Sequence, residues 1–133
     1  MTKYAASFGA IALIMVALDV LWIGVIAKPL YQDGIGHLMA QNPRLGAAAL
    51  FYAVYALGLL LFVVLPGAEA GNWHTPLMRG ALFGFFAYAT YDLTNLATLK
   101  DWPIGLSALD MAWGSIASAA AAVAGHLAYQ WVK

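Results

Sequence analysis

Three aspartates, Asp19, Asp92 and Asp110, stand inside long apolar stretches of a chain that is otherwise poor in charge. A carboxyl group at membrane depth costs at least a few kcal/mol, so three of them ask for a reason. Away from water a carboxyl can hold a proton, accept hydrogen bonds from hydroxyl and indole groups, or neutralise a cation. Three that cluster in a low dielectric cannot all be ionised, and at least one keeps its proton near neutral pH unless a cation neutralises the group. No lysine or arginine falls at their depth. Any positive charge at the site therefore comes from outside the chain.

The residues around the aspartates are polar and aromatic. Tyr88, Asp92 and Asn95 recur at i, i+4 and i+7, which is one face of a helix. Tyr52 and Tyr55 reach a similar depth on a second apolar stretch. Leu18-Asp19-Val20-Leu21-Trp22 and Leu109-Asp110-Met111-Ala112-Trp113 share the pattern Leu-Asp-x-x-Trp, which sets an indole, Trp22 or Trp113, three residues after each carboxyl. Asp19, Asp92, Asn95 and Asp110, walled by Trp22, Trp113, Tyr52 and Tyr88, are thus the expected ligand-binding residues. Three carboxylates and Asn95 could offer oxygen ligands to a hard cation, but no Asp-x-x-Asp spacing makes a dedicated motif, and no metal is expected. Catalytic templates and cofactor motifs are equally missing: there is no Ser-His-Asp set, HExxH, glycine-rich phosphate loop or retinal-type lysine in mid-span. Buried carboxyls can instead merely fix helix register. Three in one layer favour a site, since Asn, Ser or Thr would set register at lower cost.

The elements that must position these residues follow from hydrophobicity. The chain has 133 residues, of which 64% are hydrophobic and 9% charged, against about 25% charged in an ordinary globular domain. Twelve charged side chains cannot solvate the exterior of a soluble domain of this size, so lipid is the expected outer solvent. About 20 apolar residues cross a hydrocarbon core roughly 30 Å thick. Four segments qualify: 5–27, 45–65, 80–99 and 104–129, bounded by Lys3, Lys28-Pro29, Arg44, Pro66, Arg79, Lys100-Asp101, Pro103 and Lys133. The expected fold is a single all-α membrane domain, a four-helix transmembrane bundle. The first segment is too long for a secretory signal and reads as a retained helix.

In the connector from Lys28 to Arg44, Leu30, Tyr31, Ile35, Leu38 and Met39 recur on one helical face, which predicts a short interfacial helix between spans one and two. Lys100-Asp101-Trp102-Pro103 predicts a tight turn and an antiparallel hairpin of the last two spans. Alternating direction then brings the three carboxyls into one layer, because each lies about six to eight residues from a span end on the same face, roughly 10 Å deep.

Lys3, Arg79 and Lys133 on one side balance Lys28, Arg44 and Lys100 on the other, leaving the cationic amino terminus as the only lean toward termini inside. Zero net charge removes nucleic acid as a partner. The absence of cysteine removes disulfides and thiolate chemistry. Tyr4, Tyr31, Trp73, Trp102 and Trp131 are expected in aromatic belts, and His37, His74 and His126 at interfaces, without chemistry. Small residues on the last two spans, Gly80, Gly84, Gly114, Ser118 and Ala122 among them, are expected to let helices approach closely.

The run Tyr91-Asp92-Leu93-Thr94-Asn95-Leu96-Ala97-Thr98-Leu99, followed by Trp102-Pro103 and joined to Leu-Asp-x-x-Trp in the first span, resembles the DUF2177 group of small bacterial inner-membrane proteins, classified only as a domain of unknown function. The likeness covers essentially the whole chain. It implies a four-span, multi-pass protein of the bacterial cytoplasmic membrane and brings no catalytic residues with it.

The residues themselves point to a membrane protein that binds or translocates a small cation, a proton or a polar-headed amphiphile. An enzyme acting on a lipid or isoprenoid, with an aspartate as general acid or base, is the alternative, and an accessory subunit of a larger complex is a third. Besides the lipid bilayer, a homodimeric copy or a larger membrane-protein partner is expected, because 133 residues leave little room for a complete transporter.

Overall fold

The computed structural model describes residues 1–132. Lys133, expected to bound the last span, lies outside them. About 86% of the chain is helical, and no strand occurs among the described residues, which makes the fold all-α. Helix α1 (Thr2–Leu21) runs into a π turn (Trp22–Ile26), α2 (Lys28–Ile35) and a short 3₁₀ turn (Gly36–Leu38) follow, and α3 (Leu45–Leu59) leads through a second π turn (Leu60–Val64) into α4 (Leu65–Ala68). Helices α5 (His74–Thr98) and α6 (Ile104–Trp131) complete the bundle. The short helix expected after the first span is α2.

Three continuous stretches, Thr2–Ile26, Leu45–Ala68 and Ile104–Trp131, are long and apolar enough to cross a membrane. Helix α5, with 25 residues, is long enough too, but Arg79, Tyr88, Tyr91, Asp92, Thr94 and Asn95 dilute its apolarity. The bundle turns its polarity inside out. Leu13, Val20, Val54, Phe62, Leu82, Phe86 and Ile116 face outward, while Ser7, Asp19, Asp92, Ser107, Asp110 and Ser118 are buried.

Both π turns lie just ahead of a proline, Pro29 or Pro66. Proline lacks an N–H, and its ring collides with the carbonyl four residues back. Widening the preceding turn moves that carbonyl away, and Ala27 N–H accordingly reaches back five residues to the Trp22 carbonyl at 2.7 Å. The second helical rod therefore continues past Pro66 to Ala68.

Helices α5 and α6 form a hairpin closed at Asp101, which takes a left-handed φ of 62°, a conformation that aspartate tolerates better than most residues. They lie close enough that a Cβ on Gly114 would strike the Tyr88 ring, and one on Gly84 would meet the Gly114 carbonyl and Ser118. The small residues here admit a neighbouring backbone. Ser115 Oγ also donates across the pair to the Ala81 carbonyl at 2.9 Å. Helix α1 packs on the other side of α6, where Ser7 Oγ donates to the Gly125 carbonyl at 2.8 Å.

Helix α3 is placed differently. It packs on α1, whereas contact with α5 and α6 is made chiefly through its π turn Leu60–Val64 and through α4. Ile11, Met15, Leu59, Val63, Val64, Ala117 and Ala121 knit that end into the core. At the opposite end α3 stands away from the hairpin, and the wedge left between them is a cavity.

Candidate functional site

The wedge is a half-open cavity of about 520 Å³, and Asp19 of α1, Asp92 of α5 and Asp110 of α6 all line it. Each carboxyl is buried, with relative exposures of 6%, 2% and 8%. Among the described residues no lysine or arginine contributes to the wall.

Asp19 is fully engaged. Tyr52 Oη donates to its Oδ2 at 2.7 Å, and Trp113 Nε1 donates to its Oδ1 at 3.1 Å. Asp110 Oδ1 accepts from Tyr31 Oη at 2.6 Å, and that hydroxyl in turn accepts from Trp22 Nε1 at 3.1 Å. The indoles of Trp22 and Trp113 stack with centroids 4.5 Å apart and planes 5° from parallel. Each tryptophan was expected to stand by the aspartate of its own Leu-Asp-x-x-Trp motif. Instead they cross: Trp113 serves Asp19, and Trp22 reaches Asp110 through Tyr31. Three residues along a helix is nearly a full turn, but side chains lean toward the helix amino terminus by different amounts, so the neighbouring helix competes for the indole.

Asp92 differs from both. Its Oδ2 is buried without a hydrogen-bond donor, and the carboxyl that acts on it is that of Asp110. An unpartnered buried oxygen of this kind costs about 1–3 kcal/mol. Helix α5 holds it there because Asp92 shares a face with Tyr88, which the Gly114 gap admits against α6.

The remaining wall is aromatic. Tyr52, Tyr55, Tyr88 and Trp113 line the cavity, and so do Tyr91 and Trp102. Tyr55 packs edge-on against Tyr88 at 6.2 Å and shares a 2.5 Å hydrogen bond with Ser118. Tyr91 meets the Trp102 ring at 5.8 Å and 82°. Trp102 Nε1 is a second buried polar atom without a partner.

Two of the expected residues sit elsewhere. Asn95 is half-buried one turn beyond Asp92 and does not line the cavity, and Trp22 stands behind the wall, stacked on Trp113. Conversely, Tyr31 and Trp102, expected in an aromatic belt, belong to the site. A connector that folds back over the bundle was the missing signal, and its buried tyrosine among Leu30, Ile35 and Met39 was the residue that carried it. Burial, and after it the bond to Asp110, pushes the Tyr31 phenol well above its ordinary range. His126 is buried rather than interfacial, yet lies sixteen residues along α6 from Asp110, about 24 Å away. Among the described residues no group of three His, Cys, Asp or Glu side chains is arranged to hold a metal ion.

Apolar side chains turned outward and carboxyls gathered inward define a helical membrane protein. The chain belongs to the DUF2177 family, described as a predicted membrane protein, whose model matches residues 4–127. No curated protein and no solved structure matches it.

Proposed function

We propose that the chain is a four-span protein of the bacterial inner membrane that binds, and passes on, a cationic or polar-headed guest in the cavity between α3 and the α5–α6 hairpin. The observation that carries this reading is the convergence of Asp19, Asp92 and Asp110 from three helices on one aromatic-walled cavity that holds no lysine or arginine. Helix α5 counts as the fourth span because its polar residues Asp92 and Tyr88 turn inward while Leu82, Phe86 and Leu93 face out. A register-setting cluster would saturate its own hydrogen bonds. Asp19 does so, whereas Asp92 Oδ2 does not.

A hydrophobic carbodiimide tests the reading, since it reaches carboxyls from the lipid phase and adds covalently to those that are protonated. In reconstituted vesicles it should modify Asp92 or Asp110, as located by peptide mass spectrometry, and raising the pH or adding a bound cation should slow the modification. Complete resistance of both residues would mean a sealed structural cluster.

A further inference from the structure

We propose that the guest is a single-tailed amphiphile with an ammonium head, which enters sideways from the lipid between α3 and α5 and takes the place of a proton among the clustered carboxyls. This rests on the reading of the cavity as a binding site and adds the class of occupant, the route and the exchange.

A bare metal ion fits poorly. Both oxygens of Asp19 already accept from Tyr52 and Trp113, and Oδ1 of Asp110 accepts from Tyr31. What remains falls short of the six to eight oxygens, roughly, that calcium gathers or the strict octahedron of magnesium. The space of about 520 Å³ is several times that of an ion, and its wall is mainly aromatic. Rings around a carboxylate are the chemistry that recognises an organic ammonium, through attraction of the cation to the ring faces together with charge neutralisation. Asp92 Oδ2, buried and without a donor, is the atom left to meet that charge.

The route follows from the rim. Phe51 of α3 and Tyr91 of α5 both line the cavity, and both are exposed on the outer surface of the bundle, by 43% and 53%. That surface faces lipid at this depth, so the opening between them leads sideways into the bilayer. A head group can lie in the cavity while its tail stays among the acyl chains.

The exchange follows from charge. The titratable groups facing Asp92 are Asp19 of α1, Tyr31 of α2, Tyr52 and Tyr55 of α3, Tyr88 and Tyr91 of its own helix and Asp110 of α6. The phenols are neutral at ordinary pH, and none of these groups is cationic. Without a guest, carboxyls clustered in a low dielectric cannot all be ionised, and the cluster keeps a proton. The arriving ammonium makes that proton unnecessary, and it leaves to water: one cation is bound for one proton released.

The test uses the protein in phosphatidylcholine vesicles and calorimetric titration with decyltrimethylammonium, whose permanent charge leaves any pH dependence to the protein. Decanol and decyl sulfate control for the tail, tetramethylammonium for the head and calcium for a metal. Decyltrimethylammonium should bind at least tenfold more tightly than the others. Its affinity should rise by up to tenfold per pH unit where proton and cation compete for the site, with about one proton taken up by the buffer per cation bound, and Asp92→Asn should abolish both. Equal binding of decanol, tighter binding of calcium or a pH-independent affinity overturns the proposal, and these wild-type measurements decide it even where the variant does not accumulate. If carbodiimide modifies Asp92 but decyltrimethylammonium neither binds nor protects, the amphiphile falls and the binding site stands. If carbodiimide modifies neither Asp92 nor Asp110, both fall.

Discussion

Trp113 donates its indole N–H to Asp19 on another helix, not to Asp110 one turn away on its own. Together with the Trp22–Tyr31–Asp110 relay, this ties the two Leu-Asp-x-x-Trp motifs into one unit. The stacked indoles are its centre. Helices α1 and α6 are thereby locked in register at the level of the cavity.

Replacing either tryptophan by phenylalanine keeps an aromatic ring and removes the donor. Trp113→Phe strips Asp19 Oδ1 of its only described partner and should cost about 1–3 kcal/mol, as expected when a buried acceptor is left alone. Trp22→Phe should cost less, about 0.5–1.5 kcal/mol, because Asp110 keeps Tyr31. Thermal unfolding in neutral detergent followed by circular dichroism measures the order. A larger loss for Trp22→Phe would contradict the crossed pairing.

The closeness of α5 and α6 makes a sharp contrast among glycines. Gly114→Ala drives a methyl group into Tyr88 and should destabilise by about 1–3 kcal/mol through overpacking. Gly9→Ala, where a Cβ meets nothing within 4 Å, should stabilise by up to about 1 kcal/mol from helix propensity alone. Unfolding temperatures of the two variants should move in opposite directions.

Tyr31 supplies a pH dependence. Its phenol is pushed up by burial and by Asp110, so the folded state favours the protonated form. The stability this contributes is complete below the ordinary tyrosine pKa of about 10 and is lost as pH rises beyond it towards the folded value. Tyr31→Phe should therefore flatten the fall in unfolding temperature above that pH. It should also weaken hydrogen-exchange protection of α2 at neutral pH, since the bond that ties α2 to α6 is gone. Unchanged protection would show that α2 is held by its apolar contacts alone.

The proposed four-span topology is open to cysteine labelling, since the chain has no cysteine. Single cysteines at Asn42 and Asp101 should react with an impermeant maleimide from one side of the membrane, and those at Thr2 and Gly71 from the other. Asn42 and Gly71 reacting from the same side would refute it.

The sequence made the helical class legible because hydropathy is a property of each segment by itself. The carboxyl layer was accessible for a related reason: depth follows from counting residues at a fixed rise, and lipid forces charge inward. What could not be read depends on rotation about the helix axis and on partners far away in sequence. Asn95 shares a helical face with Asp92 on a wheel, yet it does not line the cavity, whose wall at that end comes from Tyr91, Trp102 and Leu106. Tyr31 looked like any interfacial tyrosine, since nothing local reveals that its connector folds over Asp110. The π turns were invisible as well, because proline announces an interruption but not that a widened turn will absorb it.

The uneven seating of α3 also decides which part of the molecule can yield. One end is clamped by Leu59, Val63 and Val64 in the core, and the other is held by its packing on α1, by the Tyr52–Asp19 and Tyr55–Ser118 hydrogen bonds and by the edge contacts of Tyr55 with Phe83 and Tyr88. The widened turn Leu60–Val64 belongs to the clamped end, with Leu60, Val63 and Val64 buried, so the sparser packing lies on the cavity side of it, along α3. A displacement of α3 ahead of that turn would change the width of the wedge while the α5–α6 hairpin kept its glycine contacts. The wedge thus has one tightly packed jaw and one sparsely packed jaw, and the acids on α5 and α6 belong to the tight one.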